Sequence, residues 1–157
     1  MSLLRVREYL KKYGMENRIV EFDVSSATVK EAAEAINCTE GEIAKTLSFI
    51  VDNKPILIVV AGDCKIDNKK YKSEFSTKAK MIAFDDVEKT IGHGVGGVCP
   101  FGINEGVTVY LDISLKKYDN VYPACGSSNS AIKITIDELQ KISNCVKWID
   151  VCKYMGQ

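Results

Sequence analysis

The sequence has little that could hold a metal ion or form a histidine-based catalytic dyad. It contains one histidine, His93, among 157 residues. Its six cysteines, at positions 38, 64, 99, 125, 145 and 152, include no C-x-x-C pair. Structural zinc sites need clustered thiols and imidazoles, so we expect no metal and no cofactor. A chain of this length can fold without disulfides, which predicts free thiols in a reducing compartment.

Long hydrophobic runs are also missing. The longest is Ile56–Ala61, which is far too short to cross a bilayer. The first fourteen residues interleave leucine and valine with arginine, lysine and glutamate, and they lack the apolar stretch of a signal peptide. We therefore predict a cytoplasmic protein without a membrane partner.

The chain has no excess of one charge, with 21 basic and 21 acidic residues. Proteins that grip long nucleic acids through phosphates are usually basic overall. The segment Cys64–Lys80 nevertheless has a net charge of +4. This segment is either a solvated helix face or a small patch for one end of a polyanion. Its lysines are Lys65, Lys69, Lys70, Lys72, Lys78 and Lys80.

The order of patterns predicts one α/β domain over residues 1–157, with a mixed, strongly curved, barrel-like sheet flanked by helices. Two capping boxes are present, Thr28–Glu31 and Thr39–Glu42, and the second predicts a short helix ending near Lys45. The other expected helices are Leu3–Tyr13, a capped helix from Thr28 to Ile36, Asp67–Phe75, Asp85–Ile91 and Ile136–Ile142. The expected strands are Arg18–Val24, a hairpin of Leu47–Val51 and Ile56–Ala61, Lys80–Ala83, Val107–Asp112, Val121–Ala124, Ala131–Thr135 and Val146–Val151.

Glycine is concentrated in one loop, Gly92–Gly102, which holds five of the eleven glycines. Such a loop is either a flexible connection or a surface of main-chain groups that a ligand can approach closely. It lacks the strand–turn–helix setting of a dinucleotide-binding fingerprint and the Gly-Lys-Ser/Thr of a P-loop. Phosphate cradling of a nucleotide is therefore not predicted.

Four further features need interpretation. Lys45 either favours a helix C-terminus through its charge or lies at a ligand site. The segment Cys125–Ala131 is rich in serine, asparagine and glycine, which suits either a turn or polar ligand contacts. His93 has no evident partner, so we interpret it as structural. A thiol enzyme using Cys99 or Cys125 would need a base to form the thiolate.

Taken together, Ile43-Ala-Lys45-Thr-Leu, Gly96-Gly-Val-Cys-Pro100 and the late segment containing Gly126 resemble the YbaK/ProX family in the same order. This is a family of trans-editing aminoacyl-tRNA deacylases related to the editing domain of bacterial prolyl-tRNA synthetase. The resemblance covers nearly the whole chain and implies a barrel-like α/β domain. It implies that the ligand is the aminoacyl-tRNA acceptor end and that prolyl-tRNA synthetase is a candidate partner.

The resemblance also implies roles for individual residues. Lys45 matches the key lysine, assigned here to substrate positioning in catalysis, and Gly96–Pro100 matches the loop beside the aminoacyl end. The implied substrate-binding set is Phe22, Thr46, Gly96, Gly97, Val98, Cys99, Pro100, Gly126, Ser127, Ser128 and Asn129. The six lysines of Cys64–Lys80 would then contact tRNA. Phe22 and Ala131 replace the tyrosine and acidic residue of cysteine-specific relatives.

Three hypotheses follow for the function. The first is a deacylase for mischarged tRNA, in particular proline tRNA carrying a small amino acid such as alanine or cysteine. The second is a non-catalytic module that binds an aminoacyl-tRNA or amino-acid ligand. The third is the thiol enzyme.

Overall fold

A curled six-stranded sheet organises the computed structural model, which describes residues 2–156. The helices are α1 (Ser2–Lys11), α2 (Val29–Ile36), α3 (Asn68–Phe75), α4 (Phe84–Ile91) and α5 (Ile136–Ile142). The strands are β1 (Val20–Glu21), β2 (Ile43–Val51), β3 (Lys54–Ala61), β4 (Cys64–Ile66), β5 (Thr108–Asp112), β6 (Asn120–Pro123), β7 (Ser130–Ala131), β8 (Ile134–Thr135), β9 (Lys147–Ile149) and β10 (Cys152–Tyr154).

The sheet is mixed, as the sequence predicts. Its strand order is β8-β6-β2-β3-β5-β9. The β2–β3 and β6–β8 pairs are antiparallel, whereas β6, β5 and β9 each run parallel to their neighbours β2, β3 and β5. Two small antiparallel pairs, β1 with β7 and β4 with β10, complete the strands of the described residues.

A tight hairpin forms the centre of the sheet. Strands β2 and β3 pair continuously from Ala44 with Ala61 to Val51 with Lys54. The two turn residues, Asp52 and Asn53, have φ angles of 52° and 66°. Left-handed φ at both positions matches the twist of the flanking strands, and aspartate and asparagine tolerate it better than other side chains. The predicted hairpin is confirmed, with a shorter turn than the sequence indicates.

Capping boxes start α2, as predicted from Thr28 and Glu31, and also α5, where none is predicted. The Thr28 hydroxyl accepts a hydrogen bond from the Glu31 amide at 3.1 Å, and the Glu31 carboxylate accepts one from the Thr28 amide at 3.3 Å. Thr135 and Glu138 form the same reciprocal pair. In each case two backbone donors that a helix start leaves unpaired are satisfied.

The expected helix ending near Lys45 is wrong. Thr39 and Glu42 close only a single 3-10 turn over Glu40–Glu42, and β2 begins at the next residue. Lys45 is therefore the third residue of a strand, with Val60 as its partner on β3. The capping box favours a helix here, but the chain instead forms eight paired positions with β3. Pairing this long apolar strand buries more apolar surface than one further helical turn would.

Four smaller predictions also need correction. Lys80–Ala83 forms only an isolated bridge, between Met81 and Phe49. Helix α4 starts at Phe84 after Ala83, so Asp85 is not its cap. The Arg18–Val24 segment contains only the two-residue β1, and Val146–Val151 contains only the three-residue β9.

Apolar side chains cover both faces of the sheet. On one face, Leu57, Val59 and Leu111 pack with residues of α1, α4 and α5, including Leu10 and Ile91. The opposite face carries a second cluster of Phe49, Ile56, Ile58 and Val60, which packs against Tyr71 of α3. Strand β6 pairs with β2 only at Ile43 and Ala44, so the next stretch of that β2 edge is open, and the candidate site lies there.

Candidate functional site

A cavity of about 430 Å³ lies at the uncovered edge of β2. Small side chains form much of its inner wall, including Ala44, Thr46 and Ser48 on β2 and Ala124 and Ala131 opposite them. Such residues leave space that larger side chains would fill. Other residues that line the cavity are Ser26, Ala27, Thr28, Val29, Ala32, Ile43, Lys45, Leu47, Met81, Ile82, Phe84, Val87, Val95, Gly96, Val98, Tyr122 and Ser130.

The mouth of this cavity is apolar and open to solvent. Phe84 is 73% exposed, Met81 58% and Val95 52%. Exposed aromatic and aliphatic groups beside a cavity are typical of a ligand-binding rim. A nucleobase is one flat ligand that such a surface can stack against.

The glycine loop forms an ordered wall of this cavity. The Gly126 amide donates to the Gly97 carbonyl at 3.0 Å, which joins the loop to the segment that follows β6. A Cβ atom on Gly97 would lie 2.5 Å from the Gly126 carbonyl carbon, so only glycine permits this approach. Gly96, at φ of 97°, and Val98 face the cavity. The loop is therefore an ordered part of the cavity wall, and its contact with a ligand stays a prediction.

His93 anchors the same loop from inside the core. Its side chain is fully buried, and its Nε2 atom lies 2.6 Å from the Phe101 carbonyl oxygen. Burial lowers the pKa of His93 from its ordinary value, although the Phe101 hydrogen bond acts in the opposite direction. A buried neutral imidazole away from the cavity fits the structural role that the sequence predicts.

Most of the serine-rich segment lies behind the cavity wall, and its last two residues, Ser130 and Ala131, line the cavity. The Ser128 carbonyl accepts a hydrogen bond from the Ser26 amide at 2.6 Å, which fixes Ser26 at the cavity. Asn129 exchanges hydrogen bonds with the main chain of Phe22. The hydroxyl oxygens of Ser127 and Ser130 lie 2.6 Å apart. These contacts hold the wall together, and of the serines in this segment only Ser130 itself lines the cavity.

Lys45 borders the cavity with a half-buried side chain on the opposite face of β2. Its Nζ atom donates to the Gly62 carbonyl at 3.4 Å. Burial lowers the pKa of Lys45 from its ordinary value, and the acidic groups of Cys152, Cys64 and Asp63 partly offset this effect. A cation held by one long hydrogen bond can turn toward an anionic ligand at small cost.

The structure thus brings four of the expected catalytic and substrate residues to the cavity. These are Lys45, Thr46, Gly96 and Val98. Gly97 and Gly126 support the wall from behind. The remaining expected residues, which do not line the cavity, are Phe22, Cys99, Pro100, Ser127, Ser128 and Asn129.

Sequence reasoning missed much of the lining. Ser26, Ala124, Phe84 and Met81 all contact the cavity but carry no motif, whereas Ser130 belongs to the serine-rich segment that the sequence singles out. Only the alternation along β2 could have revealed Ala44 and Ser48, because residues two apart on a strand share a face. The other lining residues reach the cavity from segments that are distant in the sequence, and no local pattern predicts such contacts.

The six expected tRNA-contacting lysines are all exposed, and they occupy or adjoin β4 and α3. Lys70 forms an ion pair with Asp150 at 3.1 Å and donates to the Cys152 carbonyl at 2.9 Å. Glu74 of α3 pairs with Lys147 at 2.9 Å. The lysine patch is therefore solvated, with some of its charge already paired.

Cys99 and Cys125 are poor candidates for a nucleophile. Both are fully buried. Burial raises the pKa of the Cys99 thiol to about 12 and that of Cys125 well above its ordinary value. Reactive cysteines need the opposite, a stabilised thiolate, so the geometry opposes the thiol-enzyme hypothesis.

Residues 2–156 contain neither a metal-binding cluster nor a membrane-spanning helix. No group of three or more histidine, cysteine or acidic residues in this part of the chain could hold a metal ion. No helix among the described residues is long and apolar enough to cross a membrane.

Comparison with families of known proteins gives one model match. Residues 24–142 match the model of the aminoacyl-tRNA editing domain. The matched range includes all the cavity-lining residues and the whole glycine loop.

Individual proteins give the same picture. An uncharacterised protein of Bacillus subtilis, YwhH, is 51% identical over 154 residues and covers 98% of both chains. Proline–tRNA ligase of Geobacillus sp. (strain WCH70) is 28% identical over 102 residues, which are 64% of this chain but only 18% of that ligase. A crystal structure provisionally described as a trans-editing enzyme for prolyl-tRNA synthetase superposes with a TM-score of 0.87, at 29% identity and 97% coverage of both chains.

Proposed function

Since the chain belongs to the aminoacyl-tRNA editing domain family, we propose that it is a hydrolase that removes the amino acid from mischarged tRNA. The observation that carries this proposal is the cavity at the edge of β2, with Lys45 at its border and glycine-loop main chain in its wall. The enzyme would work in the cytoplasm and support the fidelity of translation.

The substrate proposed is proline tRNA that carries a small non-cognate amino acid such as alanine or cysteine. The small side chains of the inner wall leave room for a side chain of that size. The provisional description of the structural relative and the similarity to part of a proline–tRNA ligase support the choice of tRNA. Prolyl-tRNA synthetase is a candidate partner for delivery.

The chemistry needs no protein nucleophile, because an aminoacyl ester is already activated. Lys45 would hold the terminal phosphate, the ribose or the amino-acid end, and the Gly96–Val98 main chain would align the attacking water or substrate hydroxyl. In hydrolysis, water oxygen bonds to the acyl carbon while the bond from that carbon to the ribose oxygen breaks. The ribose oxygen takes up a proton, so the products are free amino acid and uncharged tRNA.

A panel of mischarged tRNAs tests the proposal directly. We expect turnover of at least one small aminoacyl ester on proline tRNA, and loss of at least a hundredfold in kcat/KM for Lys45→Ala. Lys54→Ala is the matched control, because Lys54 is an exposed lysine at the start of β3 in the same hairpin. Absence of turnover across the panel would overturn the proposal.

The second candidate is a binding module that uses the same cavity without hydrolysis. It would bind a non-hydrolysable aminoacyl analogue but release no amino acid from any ester. If the Lys45→Ala variant were fully active, the deacylase proposal would stand, but the role assigned to Lys45 would be wrong.

A further inference from the structure

The outer edge of β2 is paired in two places and open between them. Ile43 and Ala44 pair with β6. Further along, the Ile82 amide donates to the Ser48 carbonyl at 3.2 Å, and the Ile50 amide donates to the Lys80 carbonyl at 2.9 Å. Thr46 lies between these two stretches and lines the cavity.

The direction of the Thr46 main-chain groups follows from the register of the hairpin. Successive residues of an antiparallel strand direct their N–H and C=O groups to alternate edges. Ser48 and Ile50 direct theirs to the outer edge, and the β2–β3 register has no break between Ala44 and Val51. Thr46 therefore directs its N–H and C=O outward, and no group among residues 2–156 occupies the partner position.

A second polar group of Thr46 is also without a partner. Its hydroxyl oxygen is buried and makes no hydrogen bond with any described residue. Unsatisfied polar groups are costly when buried. A main-chain donor, a main-chain acceptor and a hydroxyl at one position of a cavity wall therefore indicate a ligand with complementary groups.

We propose that the Thr46 main chain binds the backbone of the aminoacyl group, an inference that rests on the proposed function. In a hydrogen-bonded antiparallel pair, one residue exchanges both its N–H and its C=O with the residue opposite. An aminoacyl ester carries an α-ammonium and an acyl carbonyl on either side of one carbon, which is the same arrangement. The ammonium donates to the Thr46 carbonyl, and the acyl oxygen accepts from the Thr46 amide.

This geometry assigns separate tasks to main chain and side chains. Side chains of directly opposed residues lie on the same face of a sheet, so the substrate side chain points toward the wall of Ala44, Ser48 and Ala131. Thr46 then recognises what all α-amino acids share, whereas that wall limits side-chain size. The Thr46 amide also faces the oxygen on which negative charge develops during attack.

Stable analogues of the aminoacyl end test the inference without turnover. The probes are 3′-amino-3′-deoxyadenosine acylated through an amide with L-alanyl, D-alanyl or propionyl groups. We expect the L-alanyl analogue to bind about tenfold to a hundredfold more tightly than the propionyl analogue, because a charge-assisted hydrogen bond is lost. It should also bind more tightly than the D-alanyl analogue, whose side chain would point away from the wall.

Amide hydrogen exchange gives a direct readout at Thr46. The free protein should exchange the Thr46 amide quickly for a strand residue, and the L-alanyl analogue should slow that exchange. Equal affinity of the L-alanyl and propionyl analogues, or unchanged Thr46 exchange in a saturated complex, would overturn the inference.

Two variants separate the main chain from the hydroxyl. Thr46→Val keeps the N–H and should keep the preference for L-alanyl over propionyl. Thr46→Pro removes an N–H that makes no ladder bond, because it faces the open stretch of β2, and should abolish most of that preference. The analogue series decides the question if Thr46→Pro fails to fold. If the protein hydrolyses mischarged tRNA but binds the L-alanyl and propionyl analogues equally, only this inference is wrong. If it prefers the L-alanyl analogue but hydrolyses no mischarged tRNA, only the proposed deacylase activity is wrong.

Discussion

Lys45 and Thr46 are consecutive in β2 but project to opposite faces of the sheet. The Lys45 ammonium reaches the Gly62 carbonyl at 3.4 Å, beside Asp63 and Cys64, whereas Thr46 stands in the inner wall of the cavity. This arrangement places a cation at the border and polar main-chain groups inside. An anionic acceptor end and a small aminoacyl group would need these two environments side by side.

Replacing Lys45 should separate activity from stability. Lys45→Met keeps the length and apolar body of the side chain but removes a half-buried charge. We expect deacylation to fall by at least a hundredfold while the free energy of unfolding stays equal or rises. Denaturant titration beside the hydrolysis assay checks both. A strongly destabilised variant would show that Lys45 supports the fold.

The stability difference should depend on pH with a defined sign. Burial lowers the pKa of Lys45 in the folded chain below its ordinary value of 10.5, so between these two pKa values the unfolded chain binds more protons. The free energy of unfolding of the native chain therefore rises with pH in that window. The advantage of Lys45→Met should be greatest below the folded pKa and shrink as the pH approaches 10.5. A constant difference over this range would contradict the assigned burial.

The sequence predicts the fold well where the signal is local. The capping box at Thr28 and the alternating runs of the hairpin form within a few residues, and both are confirmed. The same local signal predicts a helix end at Lys45, because a capping box within four residues says nothing about the ladder that β2 forms with β3. Only part of the cavity lining can be predicted from the sequence. Ala124 and Phe84 reach the cavity from distant segments of the chain, and no motif predicts this contact.

A methyl group at Gly97 should damage the site, whereas one at Gly94 should not. A Cβ on Gly97 would lie 2.5 Å from the Gly126 carbonyl carbon and 2.6 Å from the Ser127 amide nitrogen, and backbone cannot move aside as a side chain can. We expect Gly97→Ala to cost about 1–3 kcal/mol of stability and to lower activity at least tenfold. Gly94→Ala is the matched control, since its nearest neighbour would be the Glu88 carboxylate at 3.6 Å. Equal activities of the two variants would show that the loop position is not critical.

The lysine patch should affect tRNA substrates only. Lys69 and Lys72 are exposed on α3, whereas Lys70 is already paired with Asp150. The double variant Lys69→Glu, Lys72→Glu should raise KM for aminoacyl-tRNA several-fold and flatten its salt dependence, because fewer counterions are released on binding. Turnover of a minimal aminoacyl-adenosine should not change. Lys141→Glu on α5 serves as the control, and an equal effect there would indicate general electrostatics instead of a binding patch.

Asp112 should be essential for stability through two backbone contacts. Its side chain is 1% exposed and accepts hydrogen bonds from the Ser114 amide at 2.9 Å and the Val151 amide at 2.8 Å. Asp112→Ala leaves two buried donors unpaired, so we expect a loss of about 2–4 kcal/mol. Asp112→Asn keeps one acceptor oxygen and should lose less. Similar chemical denaturation midpoints for the two variants would contradict this account.

Removing the buried thiols should leave hydrolysis intact. With the pKa of Cys99 raised to about 12, only about one thiol in ten thousand is ionised at pH 8. The native protein should therefore resist alkylation at Cys99 and Cys125. We expect Cys99→Ala and Cys125→Ala each to retain activity within about threefold, at a stability cost of about 0.5–3 kcal/mol typical of core truncation. The decisive comparison is kcat measured on correctly folded protein at the same temperature margin below each melting point. Loss of kcat by a hundredfold in either folded variant would restore the thiol mechanism and displace the role proposed for Lys45 and the glycine loop.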